Sequence, residues 1–138
     1  MMTSTALGKL IRACVDDERT LHHERNFVDA GRAGILLRLA REREQFVEDL
    51  ERVGGRVQRR PSGSSVELLR EAGRTLFVAA AGRNHGDAVA SCRHSHARTE
   101  ARYDRAMLKP WPDPVARLLA AQVSLLREGT DELNQLQF

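Results

Sequence analysis

Segments that alternate apolar and polar residues are almost wholly missing from this chain, so nothing in it carries the two-residue period of a half-buried strand and a β-sheet framework is excluded. Aromatic residues make up only 4% of the sequence, and Lys9 and Lys109 are its only lysines. A nucleic-acid surface needs a broad basic stripe interleaved with stacking aromatics. Here the formal net charge is +3, and acidic and basic residues alternate, as in Arg41-Glu42-Arg43-Glu44, the pattern of solvated helix faces. The one basic cluster, Arg52, Arg56, Arg59 and Arg60, stops at Pro61, so no nucleic-acid partner is expected. No apolar run approaches the ~18 residues that a membrane span requires, and no membrane partner is expected either. Met1-Met2-Thr3-Ser4 lacks the basic and apolar regions of a secretory signal. Cys14 and Cys92 have neither disulfide-framework nor metal-knuckle spacing. Both fall on apolar stripes, where a free cysteine packs as a small hydrophobe, and a cytoplasmic location is expected.

What the chain does have is helical periodicity. At 138 residues, 41% apolar and 30% charged, it reads as a single domain over 1–138. Thr3 or Ser4 is placed to cap a first helix with the stripe Leu7, Leu10, Ile11, Cys14, Glu18, Leu21, Arg25 and Val28, ended by Gly31. A second carries Ile35, Leu36, Leu39, Arg43, Phe46, Val47, Leu50 and Val53 and stops at Gly54-Gly55. After a polar loop over 56–63, a shorter helix runs from Val66 to about Ala81. Asn84 to Leu108 forms the next, with His85, Val89, Cys92, His96, Thr99, Tyr103 and Met107 along one side. Lys109-Pro110-Trp111-Pro112 is a turn that no helix crosses. Asp113 caps the last helix, with Pro114 at its first position and Leu118, Leu119, Gln122, Leu125, Leu126, Leu133 and Leu136 facing inward. The expected fold is all-α: two long antiparallel hairpins joined by a crossover segment carrying a short extra helix, in a four-helix bundle.

Four polar residues interrupt these apolar stripes: Glu18, Arg43, His96 and Gln122. In an antiparallel hairpin, residues equidistant from the turn share a height. Glu18 and Arg43 are equidistant from a point beside Gly31, and His96 and Gln122 from Lys109, each about 13 residues or ~19 Å from its turn. Hairpins packed in register would bring all four into one mid-bundle layer. In such a layer Glu18 and Arg43 neutralise each other while His96 and Gln122 add hydrogen bonds.

The chain resembles the ferritin-like superfamily, and within it small bacterial stand-alone four-helix-bundle proteins. The resemblance covers nearly the whole chain and rests on Asp16-Asp17-Glu18, on Arg43-x-x-Phe46 followed by Leu50, on the Gly54-Gly55 break and crossover helix, and on Tyr103. Metal-binding members hold two irons with a glutamate and a Glu-x-x-His from each hairpin. Carried over, Glu18 matches the first glutamate. Arg43 and Phe46 stand where the first Glu-x-x-His would be, His96 replaces the third glutamate, and Gln122 and Leu125 replace the last Glu-x-x-His. The resemblance therefore implies a ferritin-like bundle whose di-iron site is degenerate, with a Glu18–Arg43 ion pair in place of metal and no cofactor. A register error of one or two residues would bring Glu42 or Glu100 inward instead.

The function expected is that of a non-catalytic structural or interaction protein that forms a homodimer or other homo-oligomer, with any other protein partner left open. The competing expectation is a metal-binding or oxidoreductase ferritin-like protein with an unconventional site around Glu18 and His96. A third is a small-molecule binder with the polar layer as the floor of its cavity. His94 and His96, two apart, point away from each other on a helix and do not chelate as a pair, and the adjacent His22 and His23 diverge likewise. His22 is expected to approach the core among apolar neighbours. Cys92 and His96 share a helix face, but a packed thiol lacks the access and thiolate stabilisation a nucleophile needs. Neither a Gly-x-Ser-x-Gly elbow nor the strand context of a phosphate loop occurs.

Overall fold

A computed structural model describes residues 2–54 and 84–136, with side chains from residue 5 onward. The helix expected over Val66–Ala81, the loop over 56–63 and the arginines beyond Arg52 lie outside the described residues. Among the described residues the chain is all-helical, with no strand: α1 (Met2–Glu24), α2 (Ala30–Gly54), α3 (His85–Ala106) and α4 (Asp113–Gln135). No helix among them is long and apolar enough to cross a membrane.

Each helix buries an inward face, mostly apolar, at alternating spacings of three and four residues. In α1 that face is Leu7, Leu10, Cys14, Asp17, Leu21 and Glu24, all buried. In α2 it is Leu36, Leu39, Arg43, Phe46 and Leu50, and in α3 Val89, Cys92, His96, Thr99, Tyr103 and Ala106. In α4 it is Val115, Leu119, Gln122, Leu126, Gly129 and Leu133.

Several element ends differ from the sequence expectation. α1 is already helical at Met2, so Thr3 and Ser4 fall inside its first turn rather than capping it. It stops at Glu24 and passes through a 3-10 turn, Arg25–Phe27, before Asp29 starts α2 by accepting the Arg32 N–H on Oδ1 at 2.9 Å. Gly31 therefore lies in the first turn of α2 rather than ending α1. That bond, together with the Arg32 guanidinium, holds the Asp29 carboxyl below the usual range. Asn84, expected as the first residue of its helix, instead caps α3 by accepting the Asp87 N–H, and α3 ends at Ala106 rather than Leu108. Pro112, not Asp113, occupies the cap position of α4, and the Trp111 indole donates to the Ala106 carbonyl at 2.6 Å across the turn. Met107 and Leu125, assigned to inward stripes, are 40% and 39% exposed; Ala106 and Val123 take the inward places.

α1 packs on α2 and α3, and α4 packs on α3 and α2. Cross-helix contacts fix the directions. Asp17 meets Ser95 while Ala13 meets Thr99, so α1 and α3 are antiparallel. His96 meets Leu126 and Tyr103 meets Gln122, so α3 and α4 are antiparallel. Phe46 meets Gln122 and Arg32 meets Leu136, so α2 and α4 are antiparallel too. Hence α2 and α3 lie on a diagonal and run the same way, and α2 ends at the opposite end of the bundle from where α3 begins.

The apolar core comes in two pieces. One gathers Leu7, Leu10, Phe46, Leu50, Tyr103, Leu119 and their neighbours towards the start of α1. The other gathers Leu21, Leu36, Leu39, Val89, Cys92 and Leu133 towards its end. Polar side chains occupy the section between them.

Candidate functional site

Every residue of the expected layer is buried: Glu18 is 1% exposed, Arg43 0%, His96 1% and Gln122 2%. They do not form one cluster. The structure sorts them into three groups, two of which are centred on or completed by residues outside the expected stripes: Asp17 and Ser95 in one, His22 and Glu44 in another.

Arg43 and His96 belong to the first group, whose centre is Asp17, itself 0% exposed. Asp17 Oδ2 lies 3.2 Å from Arg43 Nε and 3.6 Å from His96 Nδ1, while Oδ1 accepts from the Ser95 hydroxyl at 2.8 Å. The Arg43 contact is an ion pair without the alignment of a hydrogen bond, and Arg43 Nη1 has no hydrogen-bond partner among the described residues. Nη2 donates to Glu42 Oε1 at 2.7 Å, and the guanidinium carbon lies 4.5 Å from the centre of the Phe46 ring, a cation–π distance. His96 Nε2 lies 2.6 Å from the Leu126 carbonyl, which can only accept, so Nε2 carries a proton and Nδ1 is the nitrogen turned to Asp17. Gly129 makes room for this ring: a Cβ there would stand 2.9 Å from His96 Cε1 and 3.4 Å from Leu39 Cδ2.

The expected Glu18–Arg43 pair is thus replaced by Asp17–Arg43. The register error is a single residue, and its cause is helix phase. Asp17 continues the three-four spacing Leu10, Cys14, Leu21 that points at the bundle axis, whereas Glu18 sits about 100° further round α1, towards α2.

Gln122 belongs to the second group. The Tyr103 hydroxyl donates to Gln122 Oε1 at 2.6 Å, and Gln122 Nε2 donates to the Phe46 carbonyl at 3.3 Å. Because the Tyr103 proton goes to Gln122, the 3.3 Å contact with Cys14 Sγ has the thiol as donor. Burial pushes the Cys14 thiol up to about 12, and burial also raises the Tyr103 phenol well above its usual value. Both cysteines are buried and neither is in a disulfide.

Glu18 belongs to the third group. Its Oε2 is 3.6 Å from His22 Nε2, which is 3.8 Å from Glu44 Oε1 on α2. The apolar surroundings expected for His22 are therefore carboxylates instead. His94 is exposed while His96 is buried, so the two diverge as their spacing requires. Of the alternative inward carboxylates, Glu42 reaches Arg43 and Glu100 accepts from the Thr130 hydroxyl. A groove between α3 and α4, lined by Arg93, His94, Glu100, Asp104 and Thr130, has the edge of His96 in its wall.

A pair of irons needs several carboxylates converging on one space to balance its charge. At mid-bundle here Asp17 is committed to a guanidinium, the buried Glu18 turns away towards His22, and the permanent cation of Arg43 fills the space between. The residues present do not fit a di-iron group. Comparison with known protein families, with curated proteins and with solved structures finds no match.

Proposed function

We propose that this chain is a ferritin-like bundle that has given up di-iron chemistry and serves as a non-catalytic structural or interaction protein. The observation that carries this reading is the fully buried Arg43 guanidinium set against Asp17 at mid-bundle. A fixed positive charge at that place repels a metal pair and uses up the carboxylate that would have bound it. Support for the ferritin-like assignment comes from topology: α2 and α3 run the same way on a diagonal, and the chain between Gly54 and His85 is long. One long crossover of this kind distinguishes ferritin-like bundles from simple up-and-down ones.

We further place the protein in the cytoplasm, which two buried cysteines outside any disulfide suit, and expect it to self-associate. Leu108, 86% exposed, and Leu125 are apolar groups that association would cover. Iron turnover tests the central claim. Ferrous iron added to the protein in air should oxidise no faster than in buffer alone, and the chain should not co-purify with two irons. Catalysed oxidation, or two irons tightly held per chain, would overturn it. Light scattering that gives a monomer mass would remove the self-association part alone.

A further inference from the structure

Glu18, His22 and Glu44 place one ligand atom each within 4.8 Å of one another, outside the Asp17–Arg43 centre and on the seam between α1 and α2. We propose that these three side chains bind a single divalent transition-metal ion, of the zinc, manganese or ferrous class, that clamps α1 to α2.

Glu18 and His22 are four residues apart on α1, so the helix itself stacks them on one face, the arrangement by which a helix offers two ligands to one ion. Glu44 comes from α2 and faces the same imidazole nitrogen. Four ligands at ~2.0–2.1 Å around a tetrahedral ion are about 3.3 Å apart. The observed 3.6 Å and 3.8 Å edges exceed that by a few tenths of an ångström. The side chains able to close the gap are His22 and Glu44, which are partly exposed, while Glu18 is buried and provides the fixed corner. With three protein ligands, water completes the shell.

Charge and donor type then select the ion. Two carboxylates face one imidazole, and the neighbouring cation Arg43 is held by Asp17 and Glu42. A divalent ion balances the two negative charges with His22 neutral. One nitrogen among the donors disfavours magnesium and calcium, which take oxygen shells, and suits first-row transition ions. The site does not depend on the central ion pair, and an ion held this way supplies no paired-iron chemistry.

The test uses the full chain, purified without a metal-affinity tag, with zinc(II) as the probe. Its melting temperature should rise with the logarithm of zinc concentration, as expected for an ion that binds only the folded state. His22→Gln and Glu44→Gln should each weaken zinc by more than about tenfold, since even second-sphere changes at metal sites cost that much. His94→Gln, on an exposed position of α3, should leave it unchanged. Glu18 is left intact because its burial ties it to folding. Cobalt(II) gives a second readout: the visible bands of a low-coordinate ion should appear in the parent and vanish in Glu44→Gln. No rise in melting temperature, equal rises in all variants, or a hexa-aqua cobalt spectrum would overturn the proposal. Catalysed iron oxidation would instead count against the reading of the bundle centre, so the two failures are separable.

Discussion

Removing Arg43 and Asp17 one at a time and then together measures how the bundle centre works. Both side chains are 0% exposed, so truncating either leaves a charge in the core without its counter-ion. Arg43→Met abandons Asp17 to the Ser95 hydroxyl and the His96 ring, and a stranded buried charge costs about 3–5 kcal/mol. Asp17→Asn keeps the shape and the Ser95 contact but removes the negative charge, leaving the guanidinium with Glu42 and the Phe46 ring. That loss should fall at or below the low end of the same range. With both changes neither charge is stranded, so the double variant should lose about 1–3 kcal/mol less than the sum of the singles. Urea unfolding followed by circular dichroism reads this directly. With a slope of about 2 kcal/mol/M, the Arg43→Met midpoint should fall by about 2 M. Against a total stability of about 5–15 kcal/mol that is a large fraction, so Arg43→Lys serves as a milder arm that keeps the charge. Glu18→Gln combined with Arg43→Met is the control and should be additive. Additivity within about 0.5 kcal/mol for Asp17 and Arg43, or coupling at Glu18 instead, would refute the assignment.

Further expectations concern the groups around that centre. Gly129→Ala should destabilise, although alanine gains about 1 kcal/mol over glycine in an exposed helix, because the new Cβ drives the His96 ring off the Leu126 carbonyl; thermal melting gives the sign. Tyr103→Phe strands Gln122 Oε1 and should cost about 1–3 kcal/mol, and restoration by adding Gln122→Leu would show that the orphaned amide is the cause. Cys14 and Tyr103 keep their protons in the fold at pH values where the unfolded chain has lost them. Their contribution is therefore complete below the unfolded thiol value of 9.0 and falls as pH rises towards about 12, by about 1.4 kcal/mol per pH unit for each group that is titrating. Unfolding titrations at pH 8 and pH 10 should show that loss, and a flat profile would contradict it. In the same conditions a thiol reagent should leave Cys14 unmodified at pH 8 until urea unfolds the chain.

The all-α character of the described residues was legible in the sequence because helix periodicity survives in each of their four helices, and the hairpin turn at Lys109–Pro112 is written in prolines. The existence of a mid-bundle polar layer was legible for the same reason: Glu18, Arg43, His96 and Gln122 are large and polar where Leu or Val is expected. Its wiring was not. Asp17 was hidden behind Glu18, since both continue a three-four spacing, Asp17 from Leu10 and Cys14 and Glu18 from Ile11 and Cys14, and only the packing of the helices decides which of them meets Arg43. Ser95 and Gly129 are small, and their roles depend on what stands opposite: a carboxylate for one and an imidazole ring for the other. Glu44 lies in an alternating charge run that reads as a solvated face, and only the packing of α2 on α1 sets it against His22. A sequence shows where polarity enters a core but leaves open which donor meets which acceptor, because a rotation of a few tens of degrees exchanges neighbours.

Why the centre should be charged at all follows from comparing magnitudes. An apolar pair of similar volume at Asp17 and Arg43 would equal or exceed the ion pair in stability, because the cost of dehydrating two charges roughly cancels their attraction. Stability alone therefore does not account for the layer. Uniqueness does. α1 and α2 present apolar residues at repeating three-four spacings on both sides of the centre, so a slip by two turns would again set Leu against Leu. The slipped arrangement would, however, leave Asp17 and Arg43 each buried against apolar side chains, at about 3–5 kcal/mol for each stranded charge. The Ser95 and His96 contacts extend the same penalty to α3, and the Leu126 carbonyl beyond His96 carries it to α4. One network thus ties all four helices to a single register. A bound metal pair would impose the same kind of constraint through its ligands, so an ion pair and a metal centre are alternative ways of fixing one register in a helical bundle.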